Sequence, residues 1–255
     1  MYTLPPISPE EIFTSILLLS RIGGSFFLMP IFGERLLPSL VKLALIIITT
    51  VFLSSILENT IQLPKTTLET TVLIIYEIIV GLFIGLVCRI VASSIHTAGM
   101  AIGSSIGISA AVMFDVSQGD QGSLIGIFMN MLMIVLLLSM NMHIVLIESI
   151  YNSYKYMPIG GLFKNNISIV EILVSSMSFA WQIALQVSAP FIVSSLIMFI
   201  GAGVLSRLMP QIQIFFLMLP IQIIIGLLMI SVTLPVLSKW LVEKHYEQIS
   251  IFLGL

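Results

Sequence analysis

Long apolar stretches, separated by short polar ones, dominate the chain. A membrane-spanning helix needs about 20 apolar residues, and several stretches approach or exceed that length. Six stretches can be delimited: Glu11–Met29, Leu36–Leu57, Leu68–Val91, Leu124–Ile147, and two longer ones bounded by Glu171, Arg207 and Lys239. The last two could each hold one long helix, or a helix broken at Pro190 or Pro220. The pattern therefore predicts an all-α membrane protein of about six long, partly broken hydrophobic helices that form hairpins.

The composition supports a membrane protein. Of the 255 residues, 58% are hydrophobic and 9% are charged, and the mean hydropathy is +1.16. An ordinary soluble domain has about 25% charged residues, so the chain cannot cover itself with charge in water. This excludes a free soluble enzyme, a nucleic-acid binder and a disordered protein.

A segment rich in small residues, Ile90–Phe114, lies between two of the apolar stretches. It carries no formal charge, and Gly99, Gly103 and Gly107 recur every fourth residue. On a helix this spacing makes a flat face that another backbone can approach closely. The segment continues into a polar, turn-rich stretch, Asp115–Gly122.

Charged residues and sharp turns interrupt the apolar stretches. Arg21 and Glu77 lie inside predicted helices, where a charge is costly. Such residues can be interpreted in two ways: they pair with partners in the bundle or snorkel to an interface, or they contact neighbouring subunits or line an aqueous path. Turns are predicted at Pro30–Pro38, at Met157–Gly161, and at Arg207–Gln213, where Pro210 opposes a straight helix.

No pattern of catalytic or metal-binding residues is found in the sequence. His96, His143 and His245 are isolated, the only cysteine is Cys88, and no HExxH, GxSxG or Walker loop occurs. We therefore predict no catalytic, cofactor or metal site.

Four stretches of the chain carry recognisable motifs: Arg21–Leu45, with its P-I-(x)2-E-R-(x)2-P-(x)3-K frame, Glu77–Val87 followed by His96–Asp115, Met140–Gly161, and Gly201–Pro220. By their order and spacing these stretches together resemble the FliR family of type III secretion export-gate subunits, which includes flagellar and injectisome members. The chain departs from the family pattern at Gln213, where Asn is common, at Val116, where Pro is common, and at Met142, where Gly is usual. These departures affect loop details. The Pro30–Pro38 frame and the turn at Met157 resemble the flagellar branch.

The resemblance implies a non-enzymatic, channel-forming subunit of the flagellar type III export apparatus in the bacterial inner membrane, at the basal body. It implies FliP-like, FliQ-like and FlhB-like partner subunits, contact with membrane lipid, and unfolded flagellar proteins as exported substrates. It implies no cofactor and no nucleic acid. The single export-gate domain, 1–255, would combine a FliP-like segment, roughly 1–165, with a FliQ-like helical hairpin, roughly 166–255.

The same resemblance implies two groups of site residues. A loop that plugs the resting channel would comprise Gly103, Gly107, Met113, Phe114, Asp115, Gly119 and Gly122. Contacts for assembly and for the hairpins would come from Arg21, Pro30, Glu34, Arg35, Pro38, Lys42, Glu77, Arg207, Pro210 and Gln211. Without the resemblance, the small-residue segment is interpreted as a packed helix interface followed by a surface loop.

Two other functions remain open from the sequence. The injectisome counterpart would differ in cargo but not in mechanism. A self-contained secondary transporter would place a substrate site near the middle of the membrane at broken helices, and Pro190 and Pro220 could mark such breaks.

Overall fold

The computed structural model of the chain is all-α. It describes residues 8–34, 37–57, 64, 66–109, 123–159, 169–211 and 213–253, and no strand occurs within these ranges. The principal helices are α1 (Pro9–Leu28), α2 (Ser39–Ile56), α3 (Thr67–Ser105), α4 (Leu124–Ser139), α5 (Met142–Tyr156), α6 (Ile169–Leu208) and α7 (Ile214–Leu253). The predicted fold class is confirmed.

Five of these helices are long and apolar enough to cross a membrane, and the number rises to six if α4 and α5 form one bent span. α4 and α5 meet at an angle of 77°. Asn141 lies at the bend in the left-handed conformation, with φ of 57°, which Asn tolerates better than most residues. The apolar stretch predicted over Leu124–Ile147 is thus helical but bent, which agrees with the partly broken helices that the sequence predicts.

The helix α3 extends well beyond the apolar stretch that predicts it, which ended at Val91. Its C-terminal portion carries several hydroxyl side chains that are satisfied within the helix. The Oγ atoms of Ser93 and Ser104 donate to the carbonyl oxygens of Ile90 and Ala101, three residues earlier. Small and hydroxyl-bearing residues can therefore continue a helix where hydropathy alone indicates its end.

The two longest helices, α6 and α7, each contain 40 residues and run through their internal prolines. Pro190 lies inside α6, and Pro220 and Pro235 lie inside α7. Of the two arrangements left open by the sequence, the structure has the continuous one.

Ser8 and Pro9 define the start of α1. Ser8 Oγ accepts a hydrogen bond from the Glu11 backbone nitrogen at 3.2 Å, and the Ser8 nitrogen donates to Glu11 Oε2 at 3.0 Å. This reciprocal capping satisfies two of the free amides at a helix N-terminus, and proline suits the first helical position.

The chain forms two compact units. The first comprises Met1–Arg89, Asn141–Leu173 and Ile249–Leu255, and the second comprises Ile90–Met140 and Val174–Gln248. In the first unit α1 packs against α2. The core side of α1 buries Leu17, Leu18, Ile22 and Phe26, each no more than 2% exposed.

In the second unit the small-residue face of α3 lies against the start of α4. A Cβ atom on Gly99 would lie 2.7 Å from Gly126 Cα, and one on Gly103 would lie 2.8 Å from Ser123 Oγ. The predicted close approach of another backbone is thus confirmed at Gly99, whereas the atoms nearest to Gly103 belong to side chains. Gly107 does not share the helical face, because α3 ends at Ser105 and Gly107 has φ of +82°.

Candidate functional site

A buried ion pair connects α1 and α3 in the first unit. Arg21 Nε donates to Glu77 Oε2 at 2.6 Å, and neither side chain is exposed. A charge removed from water is tolerated when it is paired and hydrogen-bonded. The structure therefore brings together two residues that the sequence singled out separately.

The same arginine also reaches the end of α5. Its Nη1 donates to the carbonyl oxygen of Met157 at 2.8 Å and, more weakly, to Ser153 Oγ at 3.3 Å. The guanidinium carbon lies 4.1 Å from the centre of the Tyr154 ring, within range of a cation–π interaction. Because Met157 is the residue that ends α5, Arg21 fixes the start of the predicted turn at Met157–Gly161.

Glycines make this arrangement possible by letting α1 and α3 approach backbone to backbone. A Cβ atom on Gly24 would lie 2.8 Å from the Ile78 carbonyl oxygen, and one on Gly85 would lie 2.6 Å from that of Ser25. A Cβ atom on Gly81 would collide with the Arg21 carbonyl oxygen. The small residues thus hold the two helices at the separation that the Arg21–Glu77 pair requires.

The ion-pair cluster is suited to fixing helices and not to bond chemistry. Both charged side chains are fully buried, and the guanidinium is held by partners from two other helices. Within the described ranges of the chain, no group of three or more His, Cys, Asp or Glu side chains could hold a metal ion.

A second buried polar cluster, in the second unit, surrounds His245 on α7. Its Nδ1 lies 2.7 Å from the Leu241 carbonyl oxygen, and its Nε2 lies 3.0 Å from that of Val91 and 3.2 Å from Ser94 Oγ. Phe179 packs edge-on against the ring. His245 is isolated in the sequence because its partners on α3 are about 150 residues away, and only the fold brings them together.

Of the seven residues predicted for a plug, the structure describes two. Gly103 and Gly107 are buried, the first against the start of α4 and the second in a turn after α3. Five others lie outside the described residues: Met113, Phe114, Asp115, Gly119 and Gly122. A residue that the sequence did not single out, Gln222 on α7, is 4% exposed and donates through Nε2 to the Ser105 carbonyl oxygen.

The remaining predicted contact residues are dispersed. Pro30 is buried in the turn after α1, Pro38 directly precedes α2, and Glu34 and Lys42 are half-buried. Three others are exposed around the turn between α6 and α7: Arg207, Pro210 and Gln211. Arg35 lies outside the described residues. Among the residues that the structure describes, no ion pair joins Glu34, Lys42 or Arg207 to another side chain.

Comparison with known proteins gives a consistent result over nearly the whole chain. Residues 12–247 match the family described as bacterial export proteins, family 1. The chain is 30% identical to the flagellar biosynthetic protein FliR of Bacillus subtilis, over 87% of this chain and 86% of that protein.

Two further relatives bear the same name, flagellar biosynthetic protein FliR. The protein of Caulobacter vibrioides is 26% identical over 95% of this chain and 96% of its own length. That of Escherichia coli is 27% identical over 87% and 84%. The chain therefore belongs to the family of bacterial export proteins, family 1, which includes the flagellar FliR proteins.

Proposed function

We propose that the chain is a non-enzymatic, channel-forming subunit of the flagellar type III protein export apparatus, and that it helps to build and close the gate for unfolded flagellar proteins. The observation that carries this proposal is the family match over residues 12–247, together with relatives that are flagellar biosynthetic proteins. The flagellar names favour this function over the injectisome counterpart.

The distribution of exposed apolar surface supports a subunit that lies in a membrane and contacts neighbours. In the most apolar part of each helix, only 11% of α2 and only 22% of α7 is buried inside the protein. Phe52 on α2 and Val232 on α7 are among many large apolar side chains that stay more than half exposed. Surface of this kind needs cover from lipid or from other subunits.

The partners in this proposal are FliP-like, FliQ-like and FlhB-like subunits, and the location is the inner membrane at the flagellar basal body. Residues 1–165 would correspond to a FliP-like subunit, and residues 166–255 would correspond to a FliQ-like hairpin. The buried Arg21–Glu77 pair would keep the FliP-like segment rigid while its apolar surfaces meet these neighbours.

The proposed gate segment is 103–122. Its first residues, 103–109, lie in the described structure. Gly103 allows α3 to pass close to Ser123, at the start of α4. The chain then leaves the helix at Ser105, and Gly107 adopts a backbone conformation that L-residues with a side chain rarely take. A segment of small residues with a glycine turn at its base can seal a channel and move aside for an unfolded chain.

Enlarging Gly107 tests the gate. Gly107→Leu forces a side chain onto a positive φ and places its Cβ about 3 Å from Leu219 Cδ2. Such strain costs about 1–3 kcal/mol, so we expect the closed state to lose roughly tenfold or more in population while the subunit complex still assembles. The measurement is ion leak into cells that hold the complex without an export substrate, together with secretion of flagellar proteins.

Gly201→Leu is the matched control, because Gly201 lies in α6 with open space around its Cβ position. Normal assembly of the Gly107 variant with unchanged ion leak and unchanged secretion would refute the gate role of this segment.

A further inference from the structure

An apolar groove lies between the end of α6 and the start of α7, within the second unit. It has a volume of about 390 Å³, and apolar atoms form nearly all of its lining. The four lining residues on α6 recur at the three- and four-residue spacing of one helix face. The lining side chains include Phe199, Ala202, Gly203, Ser206, Ile214 and Phe216. The groove therefore follows a single face of α6, with the first turn of α7 as its other wall.

Small residues on α6 keep this groove open. Open space surrounds the Cβ position of Gly203, and Phe216 on the opposite wall is 67% exposed. The hydroxyl group of Ser206 donates to the Gly203 carbonyl oxygen at 2.9 Å, so it is satisfied within the helix. The groove thus presents apolar surface that needs cover, and it offers a ligand few polar groups of its own.

A single cation borders the groove. Arg207 is exposed in the last turn of α6, and it follows Gly203 by four residues, so the two are neighbours along the helix surface. It is the only Asp, Glu, Lys or Arg in residues 172–238. The nearest acidic residues in the sequence, Glu171 and Glu243, stand near the opposite ends of the two helices. An exposed guanidinium next to an apolar groove therefore has no acidic neighbour on its own hairpin.

We propose that this groove binds an anionic phospholipid, with one acyl chain along the α6 stripe and the phosphate on Arg207. The planar guanidinium matches phosphate oxygens with two parallel hydrogen bonds, and an arginine at the end of an apolar helix reaches the headgroup layer of a bilayer. Gln213, which also lines the groove and is exposed, can donate to the ester oxygens. The inference does not depend on the gate role of segment 103–122.

The size of the groove favours an acyl chain over a helix of a partner protein. A helix with its side chains is about 10 Å across, so a groove of this volume would hold only about one turn of it. An acyl chain is much narrower and has no backbone polar groups to satisfy, so it can lie along the whole stripe. The groove and Arg207 together match a molecule that is apolar along its length and negative at one end.

The first experiment changes the charge and keeps the groove. The tagged full-length chain is purified in mild detergent, titrated with phosphatidylglycerol or with zwitterionic phosphatidylcholine, and analysed by native mass spectrometry. The wild-type chain is expected to bind one phosphatidylglycerol saturably, in preference to phosphatidylcholine. Arg207→Gln is expected to weaken phosphatidylglycerol binding on the order of tenfold or more, the usual effect of losing a charged hydrogen bond, and to remove the preference. Lys239→Gln is the control, because Lys239 is an exposed cation on α7 away from the groove.

The second experiment fills the groove and keeps the charge. Gly203→Leu places a side chain where the acyl chain would lie, so it is expected to weaken the binding of both lipids while the preference for phosphatidylglycerol persists. Gly201→Leu is the matched control, since Gly201 also has open space around its Cβ position but does not line the groove. Thermal unfolding in detergent checks that each variant is folded.

Three outcomes would overturn the proposal. One is that the wild-type chain binds the two lipids equally, a comparison that needs no variant. Another is that the folded Arg207→Gln variant keeps the wild-type preference, which would leave the arginine as a charge at the end of a helix only. The third is that Arg207→Gln leaves lipid binding unchanged but lowers incorporation into a complex with FliP-like and FliQ-like proteins, which would assign the cation to a protein contact. Failure of the chain to join those partners, with the lipid preference intact, would contradict the proposed function and leave the lipid site standing.

Discussion

Glu77→Gln is expected to prevent the folded chain from accumulating. The substitution keeps the shape of the side chain but removes its charge, which leaves the guanidinium of Arg21 buried without a counter-ion. Removing one partner of a buried ion pair costs about 3–5 kcal/mol, a large share of the 5–15 kcal/mol that typically stabilises a protein. The measurement is the amount of monodisperse tagged chain extracted in mild detergent, and its thermal unfolding.

The chain provides a matched control for this prediction. Lys244 and Glu247 form an ion pair with a nitrogen–oxygen distance of 2.7 Å, but their side chains are 42% and 59% exposed. Glu247→Gln is therefore expected to cost less than about 1 kcal/mol. The double variant Arg21→Met with Glu77→Leu is expected to recover much of the lost stability, because it removes both buried charges together. If the Glu77→Gln variant accumulated to the same level as the wild-type chain, this explanation would be contradicted.

Gly81→Ala is expected to separate α1 from α3, although it adds a single methyl group. That methyl would collide with the backbone carbonyl of Arg21, and a backbone carbonyl cannot turn aside as a flexible side chain can. Overpacking of this kind typically costs about 1–3 kcal/mol, and here the displacement also lengthens the buried ion pair with Glu77. The measurement is again thermal unfolding in detergent.

The control is a glycine in the same pair of helices. Gly23 lies in α1 with nothing within 4 Å of its Cβ position, so Gly23→Ala is expected to be neutral or to stabilise the helix by up to about 1 kcal/mol. Equal effects of Gly23→Ala and Gly81→Ala would show that helix propensity matters here and that close packing does not.

Hydropathy was sufficient to predict which segments of the chain are helical, because α1, α2, α6 and α7 follow long apolar stretches. It was not sufficient to predict where helices end or bend. The bend at Asn141 depends on one left-handed residue inside an otherwise apolar stretch. The continuation of α3 to Ser105 depends on serine and threonine residues. Their hydroxyl groups lower the hydropathy of the segment, but they donate to carbonyl oxygens of the same helix, so the helix continues.

The buried polar clusters could be predicted only to a limited extent. Arg21 and Glu77 stood out because charges are rare in apolar helices, but their partnership spans 56 residues and depends on tertiary packing. The sequence around Gln222 and His245 does not reveal their roles, because a single glutamine or histidine in an apolar helix gives the same sequence pattern whether or not its side chain has a buried partner. Their hydrogen bonds to Ser105 and Val91 are visible only when α3 and α7 are placed together.

The central claim is that the chain is one subunit of a multi-subunit export gate. The most direct test is to co-express it with the tagged FliP-like and FliQ-like proteins of the same bacterium, extract the membranes in mild detergent, and measure the mass of the native particles. The proposed function predicts that the chain enters one large complex containing both partners, with a fixed stoichiometry. A stable, monodisperse chain that purifies apart from both partners would contradict it.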